Sequence, residues 1–299
     1  MDSISQFLAE LAVQRRASVH TLSAYRRDLN HLAKLAGDGT PDSLNATQLQ
    51  RALMQMHSRN LAPRSIARTL SAWRSFYAWL ARNGRIANNP TLTLRTPRRP
   101  HLLPKALGVD QAAALLDTPA ASTSPTANGP LALRDTAMFE LLYSSGLRLA
   151  ELVSLDWPGG LDMSSGEVTV TGKRNKTRIV PVGERAQAAL MRWIEARATM
   201  VKANETALFI SQRGARLTPR QVQTRLAQWA QQSSLGMHVH PHMLRHSFAS
   251  HVLQSSGDLR AVQDMLGHAS ISATQVYTHL DFQHLAKIYD AAHPRAKKS

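Results

Sequence analysis

Apolar residues recur at alternating steps of four and three through PRSIARTLSAWRSFYAWLARNG. Ile66, Leu70, Trp73, Tyr77 and Leu80 share one face, Pro63 supplies a start and Gly84 a stop. This spacing predicts one amphipathic helix. Similar patterns over 2–14, 19–36 and 47–58 predict three more. The first third of the chain therefore reads as a small all-helical bundle, with Arg26, Arg27, Arg64, Arg68 and Arg74 left for its outer faces. Periodicity then fails in NNPTLTLRTPRRPHLLPKAL, where four prolines and clustered Arg and Lys exclude regular structure. The expected organisation is a helical domain over 1–93, a basic Pro-rich linker over 94–106 and a second domain over 107–299.

The second domain opens with helical text, including LALRDTAMFELLYSSG, preceded by the Ser/Thr/Pro/Ala-rich stretch TPAASTSPTANGP at 118–130, which reads as a loop. GEVTVTGKRNKTRIVPV predicts two short strands, 167–171 and 177–182, joined by a turn containing Gly172 and Asn175 and carrying Lys173, Arg174 and Lys176. Helices follow at roughly 184–201, 218–232, 241–255, 258–266 and 271–280, with ALFI as a short strand between the first two. No internal repeat is present.

Charge changes the picture. The chain holds 36 Lys+Arg against 20 Asp+Glu, a formal net charge of +16. A field of that sign concentrates polyanions, so nucleic acid is the leading partner. The excess is uneven: residues 1–106 carry 16 basic and 5 acidic side chains, and residues 107–299 carry 20 and 15. The helical domain is thus expected to supply the stronger grip on phosphates. Cysteine is absent, which excludes disulfides, thiolate metal sites and thiol nucleophiles. MDSISQFLAELAVQRR lacks the basic start and unbroken apolar run of a signal peptide, and no segment reaches the length of a membrane span, so a soluble, cytoplasmic protein is expected.

The polar residues then need a chemistry. Arg148 follows a glycine in GLRLAEL, Lys173 sits in the hairpin turn, and His242 and Arg245 share a helix face at i and i+3 in HPHMLRHSFASH. LGHASISATQVYTHL adds His268 and Tyr277. A tyrosine near a histidine commonly packs its ring in a core and wets its hydroxyl, so alone the pair means little. No GxSxG elbow, Walker A loop, HExxH or dinucleotide fingerprint occurs. Phosphoryl transfer fits the set. Two guanidinium forks suit non-bridging oxygens, a lysine suits protonation of a leaving alkoxide, and a tyrosine hydroxyl beside cations and a base suits attack. Metal hydrolysis is the rival, since seven histidines lie between 238 and 279 and His242 and His246 stand at i and i+4. A DNA-binding protein without catalysis is the other.

In this order, YSSGLRLAEL, the TGK…NK…R…VPV hairpin, HMLRHSFASH and LGHASISATQVYTHLDFQHLAKIYDAAHPRAK resemble the tyrosine recombinases, the lambda-integrase-like family, over essentially the whole chain. The resemblance implies a mainly α fold: an N-terminal helical, SAM-like core-binding bundle and a C-terminal mixed α+β catalytic domain with a small antiparallel β-hairpin. It implies Arg148, Lys173, His242, Arg245, His268 and Tyr277 as catalytic residues, with Glu151 supporting Arg148. Arg174 departs from the glycine that relatives often carry there. No cofactor and no metal are implied. The implied partners are double-stranded DNA bearing a short recombination site, a second paired recombinase in a heterotetramer, and a DNA translocase at the division septum. A plasmid or phage integrase is the alternative. The apolar pattern Phe282, Leu285 and Ile288 is expected to dock the C-terminal tail on a neighbouring recombinase.

Overall fold

The computed structural model describes residues 2–14, 17–95, 106–117, 129–172, 176–233, 235–267 and 279–296. The chain divides into two compact units, Met1–Leu102 and Leu103–Ser299. Most of the expected linker (96–105), the loop at 118–128, the turn at 173–175 and the helix expected from 271, as far as 278, lie outside the described residues.

The first unit comprises helices α1 (Ser3–Gln14), α2 (Val19–Ala36), α3 (Ala46–Ser58) and α4 (Pro63–Arg82), with a short 3-10 turn at Pro41–Ser43. Ser18 caps α2 by accepting from the Thr21 amide, and Asn45 and Gln48 cap α3 reciprocally. α4 is the centre of the unit because its apolar face is wide and mostly aromatic. Ile66, Leu70, Trp73, Phe76, Tyr77 and Leu80 are all at most 1% exposed, each worth roughly 1.5–3 kcal/mol of burial. The polar tips of its aromatics then fix the neighbours. The Trp73 indole donates to the Asp28 carbonyl, the Tyr77 hydroxyl to the Pro41 carbonyl, and the Trp79 indole to Glu10. Burial pushes the Tyr77 phenol well above its ordinary range. All five predicted outer arginines are exposed. Two of them serve the bundle itself: Arg68 pairs with the buried Asp28 at 2.7 Å, and Arg74 donates to the Leu94 carbonyl at 2.6 Å.

The second unit holds α5 (Val109–Leu116), α6 (Pro130–Ser144), α7 (Leu149–Ser154), β1 (Leu161–Asp162), β2 (Glu167–Thr171), β3 (Thr177–Pro181), α8 (Glu184–Ala198), α9 (Pro219–Gln232), α10 (Pro241–Ser256), α11 (Leu259–Leu266) and α12 (His279–Ala292). α6 runs through its core, with every residue from Ala137 to Ser144 buried. The strands form one antiparallel sheet in the order β1-β2-β3, with Val168 opposite Val180 and Val170 opposite Arg178. Among the described residues no helix is long and apolar enough to cross a membrane.

One expectation changes. ALFI, 207–210, is fully buried, but it makes only isolated bridges, at Asp156–Ala207 and Ile210–Arg216. Side chains take the carbonyls a ladder would use: Arg197 donates to Ala207, Trp193 to Leu208 and Arg134 to Ile210. The described part of the tail lies on its own unit. Leu285, Tyr289, Ala292 and Ala296 belong to the core, and Ile288 packs against it. Tyr289 Oη is 2.7 Å from Ser144 Oγ, Arg295 pairs with Glu140 and Asp117, and the Ala296 carbonyl accepts from the Glu184 amide. Leu285 and Ile288 of the expected stripe thus pack within their own unit, where α12 lies mainly against α10 and β3, while the residues after them bond to α6 and to the start of α8.

That seat depends on Gly183, where an added Cβ would fall 2.6 Å from both the Arg295 carbonyl oxygen and Tyr289 Oη. Its φ of −66° suits any residue, so the obstacle is the tail alone. Gly183→Ala is expected to weaken the unit by about 1–3 kcal/mol and to loosen the tail selectively. Hydrogen exchange over 289–296 checks this, and unchanged protection there would show that the seat does not need the glycine.

Candidate active site

The sharp turn ahead of α7 is built by Gly146, whose φ is +57° and where a Cβ would lie 2.3 Å from the Phe248 ring. Two residues later Arg148 stands at the N-cap of α7, in extended conformation, and its amide donates to Glu151 Oε2 at 2.8 Å. Its guanidinium returns to the same carboxylate, with Nη1 donating to Oε1 at 2.8 Å. Glu151 is 3% exposed. A second arginine grips it bidentately: Arg178 Nη1 reaches Oε1 and Nη2 reaches Oε2, both at 2.8 Å. Burial favours the neutral acid, but the hydrogen bonds and charge of Arg178, with those of Arg148, outweigh it and hold the carboxyl down at about 2.

Arg245 enters from α10. Nη1 donates to the Gly146 carbonyl at 2.6 Å and Nη2 to the Leu266 carbonyl at 2.7 Å. Burial, then the nearby charges of Arg148 and Arg178, lower its pKa to about 10, which leaves it a cation at neutral pH. The end of α11 gathers these groups. Arg178 Nε donates to the Met265 carbonyl at 2.8 Å, Arg245 to that of Leu266, and Arg148 Nη2 to that of Gly267 at 3.2 Å. Three consecutive carbonyls at a helix C-terminus, the negative end of its dipole, thus each receive one arginine. Gly267 closes the helix in left-handed conformation, φ +62°, and a Cβ there would press on Arg178 Cδ at 3.1 Å.

Of the six predicted site residues, the structure brings Arg148 and Arg245 together on adjacent carbonyls. His242 is exposed, one turn before Arg245 on α10, with its ring centroid 6.3 Å from that of His240. Lys173, His268 and Tyr277 lie outside the described residues. The residue before Lys173 is placed: a Cβ on Gly172 would stand 3.6 Å from Glu151 Oε1 and 3.8 Å from Arg148 Nη1. The Glu151 support expected for Arg148 is present as this ion pair. Arg178 was missed by sequence reasoning, although a signal existed. It shares the inward parity of Val180 on β3 and faces Val170 across the ladder, so a charge stands where the alternation calls for an apolar side chain.

Chemically, three guanidiniums set against one carboxylate form a preorganised cationic cluster, and Arg148, with a third of its side chain exposed, opens it to solvent. Among the described residues no three metal-ligating side chains converge.

Residues 105–284 match the phage integrase family, and residues 4–84 match the phage integrase N-terminal SAM-like domain. The chain is 50% identical to tyrosine recombinase XerC of Xanthomonas campestris pv. campestris (strain B100) over 301 aligned residues, covering 100% of this chain and 90% of that relative. It is 50% identical to tyrosine recombinase XerC of Chromobacterium violaceum, covering 99% and 96%. Among solved structures, a lambda integrase dimer bound to a COC' core site shares the fold, with a TM-score of 0.68 at 16% identity over 92% of this chain and 98% of that one. The chain belongs to the phage integrase family of tyrosine recombinases, enzymes that catalyse DNA cleavage and strand transfer.

Proposed function

We propose that this chain cuts and rejoins double-stranded DNA at a dif-like chromosomal site together with a XerD-like recombinase, in a heterotetramer that resolves chromosome dimers at cell division. A septal DNA translocase regulates it, and it works in the cytoplasm. The observation that carries the chemistry is the convergence of Arg148 and Arg245 on one point, with the chain running from there directly into the segment that holds His268 and Tyr277. The identity to XerC proteins along the full chain supports the cellular role.

In this reading Arg148 and Arg245 hold the scissile phosphate by its non-bridging oxygens. Tyr277 Oη attacks phosphorus, the bond to the 5′-oxygen breaks, and a 3′-phosphotyrosyl ester forms. His242 and His268 assist movement of the phenolic proton and orient the phosphate, and Lys173 supplies a proton to the departing oxygen. The 5′-hydroxyl of a partner strand then reverses the step, so strands exchange through a Holliday junction. The ester conserves the energy of the phosphodiester, and neither ATP nor metal enters the balance. Docking of the tail on a neighbouring recombinase would require it to leave its seat within its own unit.

The test is adduct mapping. The protein and its paired recombinase are incubated with a nicked suicide substrate carrying the DNA that this protein protects in cell extract. A denaturant-resistant adduct on the peptide containing Tyr277 is expected. An adduct on another residue, or none, would end this assignment.

A further inference from the structure

Arg178 is buried on the inward face of β3, at 6% exposure, where it makes three directed hydrogen bonds to two different elements. Both terminal nitrogens grip the Glu151 carboxylate of α7, and Nε grips the Met265 carbonyl at the end of α11. A charge at such a site is costly unless something depends on its geometry, since an apolar residue of similar volume on β3 would pack against Val170 without desolvating a cation. What its contacts join is specific. Glu151 orients Arg148, Met265 stands two residues before the left-handed Gly267 whose carbonyl also holds Arg148, and β3 leads out of the 172–176 turn that contains Lys173.

We propose that Arg178 is a positioning residue for strand cleavage: its planar fork locks Arg148, through Glu151, and the end of α11 into one rigid unit with the strand that follows the lysine turn. It touches no DNA. A lysine could not replace it, because a point ammonium cannot make two parallel bonds to one carboxylate and a third to a carbonyl beyond it. Gly267 fits this role, since its left-handed backbone favours glycine and a Cβ there would press on the Arg178 stem at 3.1 Å. The charged groups facing Glu151 among the described residues are Arg148 on its own element and Arg178 from β3, with Arg245 from α10 coupled to all three. Removing Arg178 therefore leaves a buried carboxylate with a single close cation, Arg148, and raises the pH at which it takes up a proton.

The inference rests on the recombinase reading above, so the experiment separates the two. Single-turnover cleavage of the nicked suicide substrate is followed against pH, at saturating DNA, for the wild type, Arg178→Ala and Arg178→Lys, with DNA affinity measured in parallel. For Arg178→Ala we expect affinity within about twofold of wild type, cleavage slower by about tenfold or more, and an acid limb moved to higher pH. Arg178→Lys, which keeps a cation beside Glu151, should return the limb toward its wild-type position while recovering only part of the rate. If the alanine variant does not fold, the lysine variant carries the same comparison of rate against affinity. Wild-type rates in both variants, or losses of rate and affinity in equal measure with the acid limb unmoved, overturn the inference and leave the recombinase reading standing. A wild type that forms no adduct sinks both.

Discussion

Glu151→Ala is expected to destabilise the catalytic unit by about 3–5 kcal/mol, the range for removing one partner of a buried ion pair. The cost comes from what remains. Arg178, at 6% exposure, would keep its charge with no carboxylate beside it, and the Arg148 amide at the start of α7 would lose its acceptor. Glu151→Gln recovers little, because its amide nitrogen must face donors on one side whichever way it is turned. Denaturant unfolding checks this, with a lower midpoint at an unchanged slope. A loss below about 1 kcal/mol would mean that the carboxylate is not what neutralises this cluster. The pH dependence has a definite sign. The Glu151 carboxyl is held at about 2 in the fold against an ordinary 4.5, so its contribution is complete above 4.5 and is lost as pH falls from there through about 2. The alanine variant lacks that component and should lose less stability than the wild type over the same acid interval.

How far the sequence leads can be judged residue by residue. α4 and both hairpin strands were legible because each has one buried face, and a single-faced element writes its period into the chain. ALFI is buried on every side, and a fully apolar run carries no period that says whether its backbone will be paired by a strand or, as here, by Trp193 and the arginines. The residues around the candidate site divide in the same way. Arg148 and Arg245 were singled out in short motifs whose resemblance to the tyrosine recombinases implied their roles, and a motif is local in the chain. The partner of Glu151 on β3 lies 27 residues away, and the three carbonyls of α11 that receive the arginines belong to the backbone, which no side-chain pattern reveals. The parity of Arg178 was the one clue, and it becomes readable only once the strand has been assigned.

The hairpin turn sets up the last expected result, which concerns the proton given to the leaving 5′-oxygen. Two lysines compete for it. The Gly172 amide donates to the Lys176 carbonyl at 2.7 Å, and a Cβ on Gly172 would stand 3.6 Å from Glu151 Oε1 and 3.8 Å from Arg148 Nη1. Lys173 is one peptide from that glycine. Lys176 stands just before the return strand, is exposed, and precedes Thr177, which pairs with Thr171. We therefore assign the proton to Lys173 and a phosphate contact at most to Lys176. An alkoxide leaves poorly without a general acid, whereas a thiolate needs none. Lys173→Ala should lower cleavage of ordinary DNA by about 10²–10⁴-fold, the usual worth of a general acid, and should recover when sulfur replaces the 5′-bridging oxygen. Lys176→Ala should weaken binding, more at low salt than at high, and leave the oxygen and sulfur substrates in the wild-type ratio. Rescue by sulfur in the Lys176 variant, or none in the Lys173 variant, would reverse the assignment while leaving the arginine cluster and its role intact.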